Sequence, residues 1–382
     1  VASRVLQGVG AALLVPASVA LLIAAHPPER RTQVVAQWGG IGALAVATGP
    51  SLGAAIVSAG GWRWAFFVNL PVGLLVLALA RRVLTETAPE RSVVRPDYLG
   101  VVLLSTPIAA LVLAISEGTS WGWSDPRILV AFAVAAVTGA AFVVRARRHP
   151  EPLIDPGLFR ERSFVAANTA TFVYAAGFFA MLLGNILFLT GVWGYSIMRA
   201  GLAVTPGPLV VALIAGSAGK LAGRIGFRPV LLVGGACFAA GLGWYVLRVG
   251  SEPAYLTEWL PGTLVVGLGI GLTFPVLSAA AVASLPPSSF GVGSAVNQTA
   301  RQVGGAIGIA VLVMLLGEAT GPGEGLDRFR HLWTFAACTA LVSGAIGALI
   351  PQPAARARAT VEAIDRELVV ADADLPLAAP DA

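Results

Sequence analysis

Charge is what this sequence has least of. Only 12% of its 382 residues are charged, and none of its 20 acidic residues falls inside its long apolar runs. A hydrophobic content of 57% and a mean hydropathy of +0.81 complete the pattern and exclude a soluble globular domain. Cysteine is nearly absent. Cys237 and Cys338 sit alone in apolar runs without a CxxC or a histidine nearby, so they read as two free, buried thiols rather than a disulfide or metal site. The three histidines, His26, His149 and His331, lie in loops or at helix ends with no ligand spacing. There is no HExxH, no Ser/His/Asp set and no acidic dyad within an apolar run, so neither an enzyme nor a bound cofactor is expected. Lys220 is the only lysine, and the net charge of +5 comes from scattered arginines rather than a nucleic-acid-binding run.

Long apolar runs are abundant. About 20 residues are needed to cross roughly 30 Å of hydrocarbon, and runs of that order occur near 4–25, 34–58, 63–80, 98–116, 128–144 and 164–189. Five more follow near 200–218, 229–247, 260–283, 291–316 and 331–350. These continuous runs predict an all-α polytopic membrane protein of about 11 transmembrane helices, because only helices and closed barrels satisfy the backbone in lipid and barrel strands are shorter. Arginines crowd onto one set of alternate connections, including Arg81, Arg82, Arg145, Arg147 and Arg148, which predicts that set and the C-terminus to be cytoplasmic. Trp62, Trp64, Trp121, Trp123, Trp193, Trp259 and Trp333 then fall at outer helix ends, as an interfacial belt would. The tail after Pro351 is Ala/Arg-rich and then acidic.

The stretch from Trp38 to Pro71 organises the chain. Gly42, Gly49 and Gly53 share one helix face, Gly49 and Gly53 form a small-xxx-small pair, and Pro50 bends the helix beside them. A packing seam or a hinge is the consequence. ATGPSLGA followed by GWRWAFFVNLPVG resembles the antiporter motif in the fifth helix of the 14-helix drug:proton antiporters of the major facilitator superfamily. RVLQGVGAALLVP, from Arg4 to Pro16, resembles the motif of the helix before it, and the resemblance runs to about Pro351. It implies a major facilitator fold of two helical bundles with a two-helix insert. The expected division is 1–84 for the three-helix remainder of the N-terminal bundle, 85–163 for the insert and its linkers, 164–350 for the six-helix C-terminal bundle and 351–382 for a cytoplasmic tail. Three further helices are expected upstream, so the sequence reads as N-terminally truncated. Independently of family, Gly8, Gly10, Pro16 and the Pro27-Pro28 pair recur as Gly267, Gly269, Pro275 and Pro286-Pro287 at one constant offset, which marks a parallel internal repeat.

Two arginines fall inside the runs. Arg4 shares a face with Gln7, and the resemblance implies that this pair takes part in proton coupling; snorkelling to the outer surface is the other reading of Arg4. Arg301 stands about 15 Å into its helix on 1.5 Å per residue, with Asn297 on the same side, and is either a lining or gating group or a snorkelling one. Asn69, Asn168, Thr171, Tyr174 and Asn185 are further lining candidates, for which ordinary interhelical hydrogen bonds are an equal explanation. GKLAGRIGFRP resembles the second-half copy of the family's cytoplasmic loop motif, carried by Gly219, Arg224, Gly226 and Arg228, with Gly223 where the family often has Asp. GLGIG from Gly267 lacks a βαβ context and reads as helix packing.

The expectation is therefore a transporter in the cytoplasmic membrane of a bacterium. It would export hydrophobic drugs or antibiotics in exchange for protons by alternating access, without a cofactor or nucleic-acid partner. Uptake of a small polar solute and a non-functional fragment are the alternatives.

Overall fold

The computed structural model describes residues 51–83, 97–150, 152–285, 289–317 and 324–351, together with isolated positions before residue 51. Most of the first two predicted spans, the linker at 84–96 and the tail from 352 lie outside these residues, and so do Arg4, Gly42 and Pro50.

Every regular element among the described residues is helical. In chain order they are α1 (Ser51–Gly60), α2 (Trp64–Phe67), α3 (Asn69–Val83), α4 (Tyr98–Trp121), α5 (Pro126–Arg148) and α6 (Arg162–Gly191). Then come α7 (Ile197–Val204), α8 (Pro206–Ile225), α9 (Phe227–Arg248), α10 (Leu260–Val282), α11 (Phe290–Leu316) and α12 (Glu324–Gly347). Among the described residues, 8 paths are long and apolar enough to cross a membrane. α7 and α8 form one such path, broken at Thr205 because Pro206 begins the second helix. The predicted span at 331–350 is α12, whose first turns carry Asp327, Arg328 and Arg330 and are correspondingly polar.

Local chemistry sets the helix ends. Asp97 caps α4 by accepting from the Gly100 N–H at 2.8 Å, and Asp125 caps α5 through the Arg127 N–H at 2.8 Å, with Pro126 as the first helical residue. Gly226 separates α8 from α9 at φ +90°, a left-handed conformation that disfavours any residue with a Cβ. The helices run further than the hydropathy alone indicates. Glu117 consequently lies in the last turns of α4, and Glu258 in a π-helical turn, Tyr255–Trp259, leading into α10, so two acids do occur at the ends of spanning helices.

α6 is the packing centre, lying between α11 and α12, while α10 lies between α8 and α9. Glycines permit these approaches. A Cβ on Gly308 would strike the Ala176 carbonyl, and one on Gly304 the Phe172 carbonyl, so α11 meets α6 backbone to backbone. On α10, Gly267 faces Gly207 of α8 and Gly269 faces Phe238 of α9, so the GLGIG run is a two-sided packing surface. α4 and α5 form a hairpin with a small core of Ala114, Ile128 and Ala131, and α4 contacts α11. α3 buries nothing against the described residues.

Two expectations are corrected here. Trp62, Trp64, Trp121 and Trp123 are exposed, but Trp193, Trp259 and Trp333 are buried at 5%, 0% and 0% exposure and form no belt. They gather around Phe188, whose ring stacks on Trp259 at 5.6 Å and meets Trp333 edge-on at 5.0 Å. The cysteines are free, yet Cys338 is exposed on α12 and Cys237 only half-buried, because both sit on faces that no neighbouring helix covers completely.

Candidate solute-binding site

Asn168, Thr171 and Asn297 come together. The Asn297 amide, buried on α11, donates to Thr171 Oγ1 at 2.9 Å and to Asn168 Oδ1 at 3.2 Å. Ser278 of α10 donates to Asn297 Oδ1 at 3.3 Å. Asn168 and Thr171 in turn donate to the carbonyls of Phe164 and Ala167, so the cluster is self-satisfied and ties three helices. For these residues the interhelical hydrogen-bond explanation describes what the structure contains. Tyr174 is fully buried against Phe238 and Phe274, with ring centroids at 5.1 and 4.9 Å, and its hydroxyl lies beside Thr273 without a well-formed hydrogen bond.

The other predicted site residues are dispersed. Asn69 is exposed and donates to the Ala65 carbonyl of α2, 3.3 Å away. Gln7 is exposed. Gly49 and Gly53 look onto open space, with no described atom within 4 Å of an added Cβ. Gly219 is likewise unobstructed on α8, and Arg224 stands in that helix's last turn. Arg228 donates from Nε to the Ile350 carbonyl at 2.8 Å, clasping the start of α9 to the chain after α12. Arg301 lies about 16 Å along α11 from Phe290 at 1.5 Å per residue. Its guanidinium is over the Phe274 ring at 5.8 Å and bonds Gln298, and no carboxylate pairs with it among the described residues. Arg301 thus stands at mid-helix over an aromatic face, the geometry of a cation–π contact.

A cavity of about 250 Å³ lies between α6, α8 and α10. Phe178, Met181 and Asn185 of α6 form one wall, Gly207 and Val211 of α8 a second, and Trp259, Thr263 and Ile270 a third. Tyr245 of α9 closes one side, its ring stacked on Trp259 at 4.6 Å and its hydroxyl 2.7 Å from Thr263 Oγ1. Sequence reasoning found Asn185 but missed Trp259, Tyr245 and Thr263, since the aromatic run at the helix ends reads equally as a membrane-interface signal. The wall is apolar and aromatic with few polar groups, the usual make-up of a site for small organic molecules.

The architecture is all-α and multi-pass, and residues 1–309 match the family model described as Major Facilitator Superfamily. The chain belongs to the major facilitator superfamily. It is 36% identical over 315 residues to the "Multidrug resistance protein B homolog" of Mycobacterium tuberculosis, covering 82% of this chain and 58% of that protein. It is 32% identical over 331 residues to the "Tetracenomycin C resistance and export protein" of Streptomyces glaucescens, covering 86% and 60% respectively. To the "Puromycin resistance protein pur8" of Streptomyces alboniger it is 32% identical over 364 residues, covering 91% and 70%. This major facilitator chain thus spans about three fifths of the length of the first two of these relatives. Within the superfamily fold, the cavity lies among the helices of the expected C-terminal bundle.

Proposed function

We infer that this chain belongs to a bacterial cytoplasmic-membrane transporter that exports hydrophobic drugs or antibiotics in exchange for protons. The observation that carries this reading is the apolar, aromatic-walled cavity in a chain whose relatives bear the names of resistance and export proteins. In this reading the 164–350 bundle rocks against the N-terminal bundle, with its cytoplasmic tail inside, and Gly42, Gly49, Pro50 and Gly53 form the seam between them. Arg4 and Gln7 take part in proton coupling, and Arg301 faces the solute path. The arginine-rich connections lie on the cytoplasmic side.

The test is accumulation of radiolabelled puromycin in bacteria lacking their own efflux pumps. Cells expressing the protein should hold several-fold less drug than cells with empty vector, and a protonophore should abolish the difference. Equal accumulation in both cell lines overturns the export reading, and export that survives the protonophore overturns proton coupling alone.

A further inference from the structure

The orientation of the Asn185 amide is dictated by a neighbour. Asn185 is 7% exposed, and its Oδ1 accepts the Trp333 indole N–H at 3.0 Å. An indole nitrogen only donates, so the oxygen of the amide is the end committed to Trp333 and the NH₂ is left for another partner. Asn185 lines the cavity, and among the described residues its NH₂ has no hydrogen-bond partner.

The other polar groups of the wall are already engaged. Thr263 Oγ1 donates to the Trp259 carbonyl at 3.0 Å, which leaves its lone pairs to accept the Tyr245 hydroxyl at 2.7 Å. Both hydroxyl hydrogens are thereby spent. The Trp259 indole N–H also lacks a partner, but it is wholly covered within the aromatic stack and does not reach the cavity surface. The cavity therefore presents aromatic and aliphatic faces and a free pair of amide hydrogens, in a site where an unpaired donor is costly.

We propose that this cavity binds a flat aromatic solute bearing a hydrogen-bond acceptor, a carbonyl oxygen or its equivalent, directed at Asn185 Nδ2. Its size sets the scale, because about 250 Å³ is just below the roughly 300–1,000 Å³ of sites for drug-sized ligands and suits a fused two- or three-ring system. The rings pack against Phe178, Met181 and Val211, since the Tyr245 and Trp259 rings are stacked on one another. Asn185 is the specificity-determining residue, since a ring system of the same shape without an acceptor leaves its NH₂ unsatisfied. The assignment of this solute as cargo rests on the export reading above; the binding does not.

The experiment compares 9-fluorenone with fluorene, two tricyclic molecules of matched shape of which only the first carries a carbonyl. Each is titrated into the purified protein in lipid nanodiscs, and binding is read from tryptophan emission, for which Trp259 lines the cavity. Fluorenone should bind about five-fold more tightly than fluorene, the fold-change expected of one hydrogen bond made in place of an unsatisfied donor. Asn185→Leu should remove the preference while retaining fluorene binding. Because Asn185 also holds Trp333, a second variant, Val211→Phe, fills the cavity from the opposite wall and should weaken both ligands at least ten-fold. Equal affinities in the unaltered protein overturn the proposal, and so does the absence of binding by either ligand. Carbonyl preference without puromycin export overturns the export reading alone, whereas export without carbonyl preference overturns this inference alone.

Discussion

Asn297 holds three helices through one side chain. Its NH₂ reaches Asn168 and Thr171, both buried on α6, while its oxygen accepts the exposed Ser278 of α10. Replacing it with Leu removes these bonds and strands the Asn168 oxygen, which should lower stability by about 1–2 kcal/mol and the thermal midpoint of the purified protein accordingly. Asp97 acts differently, at the boundary of α4. Its carboxylate accepts Arg145 Nε at 3.0 Å and Nη2 at 2.6 Å as well as the Gly100 N–H. The Arg145 hydrogen bond first, and then the Gly100 amide, hold its carboxyl below the ordinary 3.8. A carboxyl lowered on folding contributes its stability above 3.8 and loses it only as pH falls through the depressed value. Hydrogen-exchange protection of the Gly100 amide should therefore persist from neutral pH to about pH 4, and should fall in Arg145→Ala already at neutral pH.

At the scale of elements, the decisive contacts run through glycine. Gly308 of α11 abuts the Ala176 carbonyl, so a single added methyl has to push two helices apart. Gly308→Ala should cost about 1–3 kcal/mol, the usual penalty for overpacking, and should appear as a lower melting temperature in detergent. Gly49, by contrast, has open space around it among the described residues. A bulky Leu there should leave the melting temperature unchanged and abolish export, as the hinge reading requires; undiminished export removes the hinge. The spacing of Asn168 and Thr171 was enough to place them on one face of α6. Their meeting with Asn297 was not legible, because the partners lie 129 and 126 residues apart. The GLGIG run was legible as packing, since small residues at that spacing have few other uses in an apolar helix.

For the molecule as a whole, the order and approximate limits of the described spanning helices could be read directly from hydropathy, and membership of the major facilitator superfamily from motifs near residues 4–16 and 38–71. Length and apolarity are local properties, and a chain in lipid satisfies its backbone within each helix, so these features need no knowledge of neighbours. What surrounds each helix is a different matter. Trp193, Trp259 and Trp333 carry the same local signal as the exposed Trp62 and Trp123, and only the approach of α6, α9, α10 and α12 makes the former set a buried core. The same holds for Asn185. The sequence determined that an amide stands on an apolar helix, and the fold decided, through a tryptophan 148 residues away, which end of that amide is spoken for and that the residue lines a cavity.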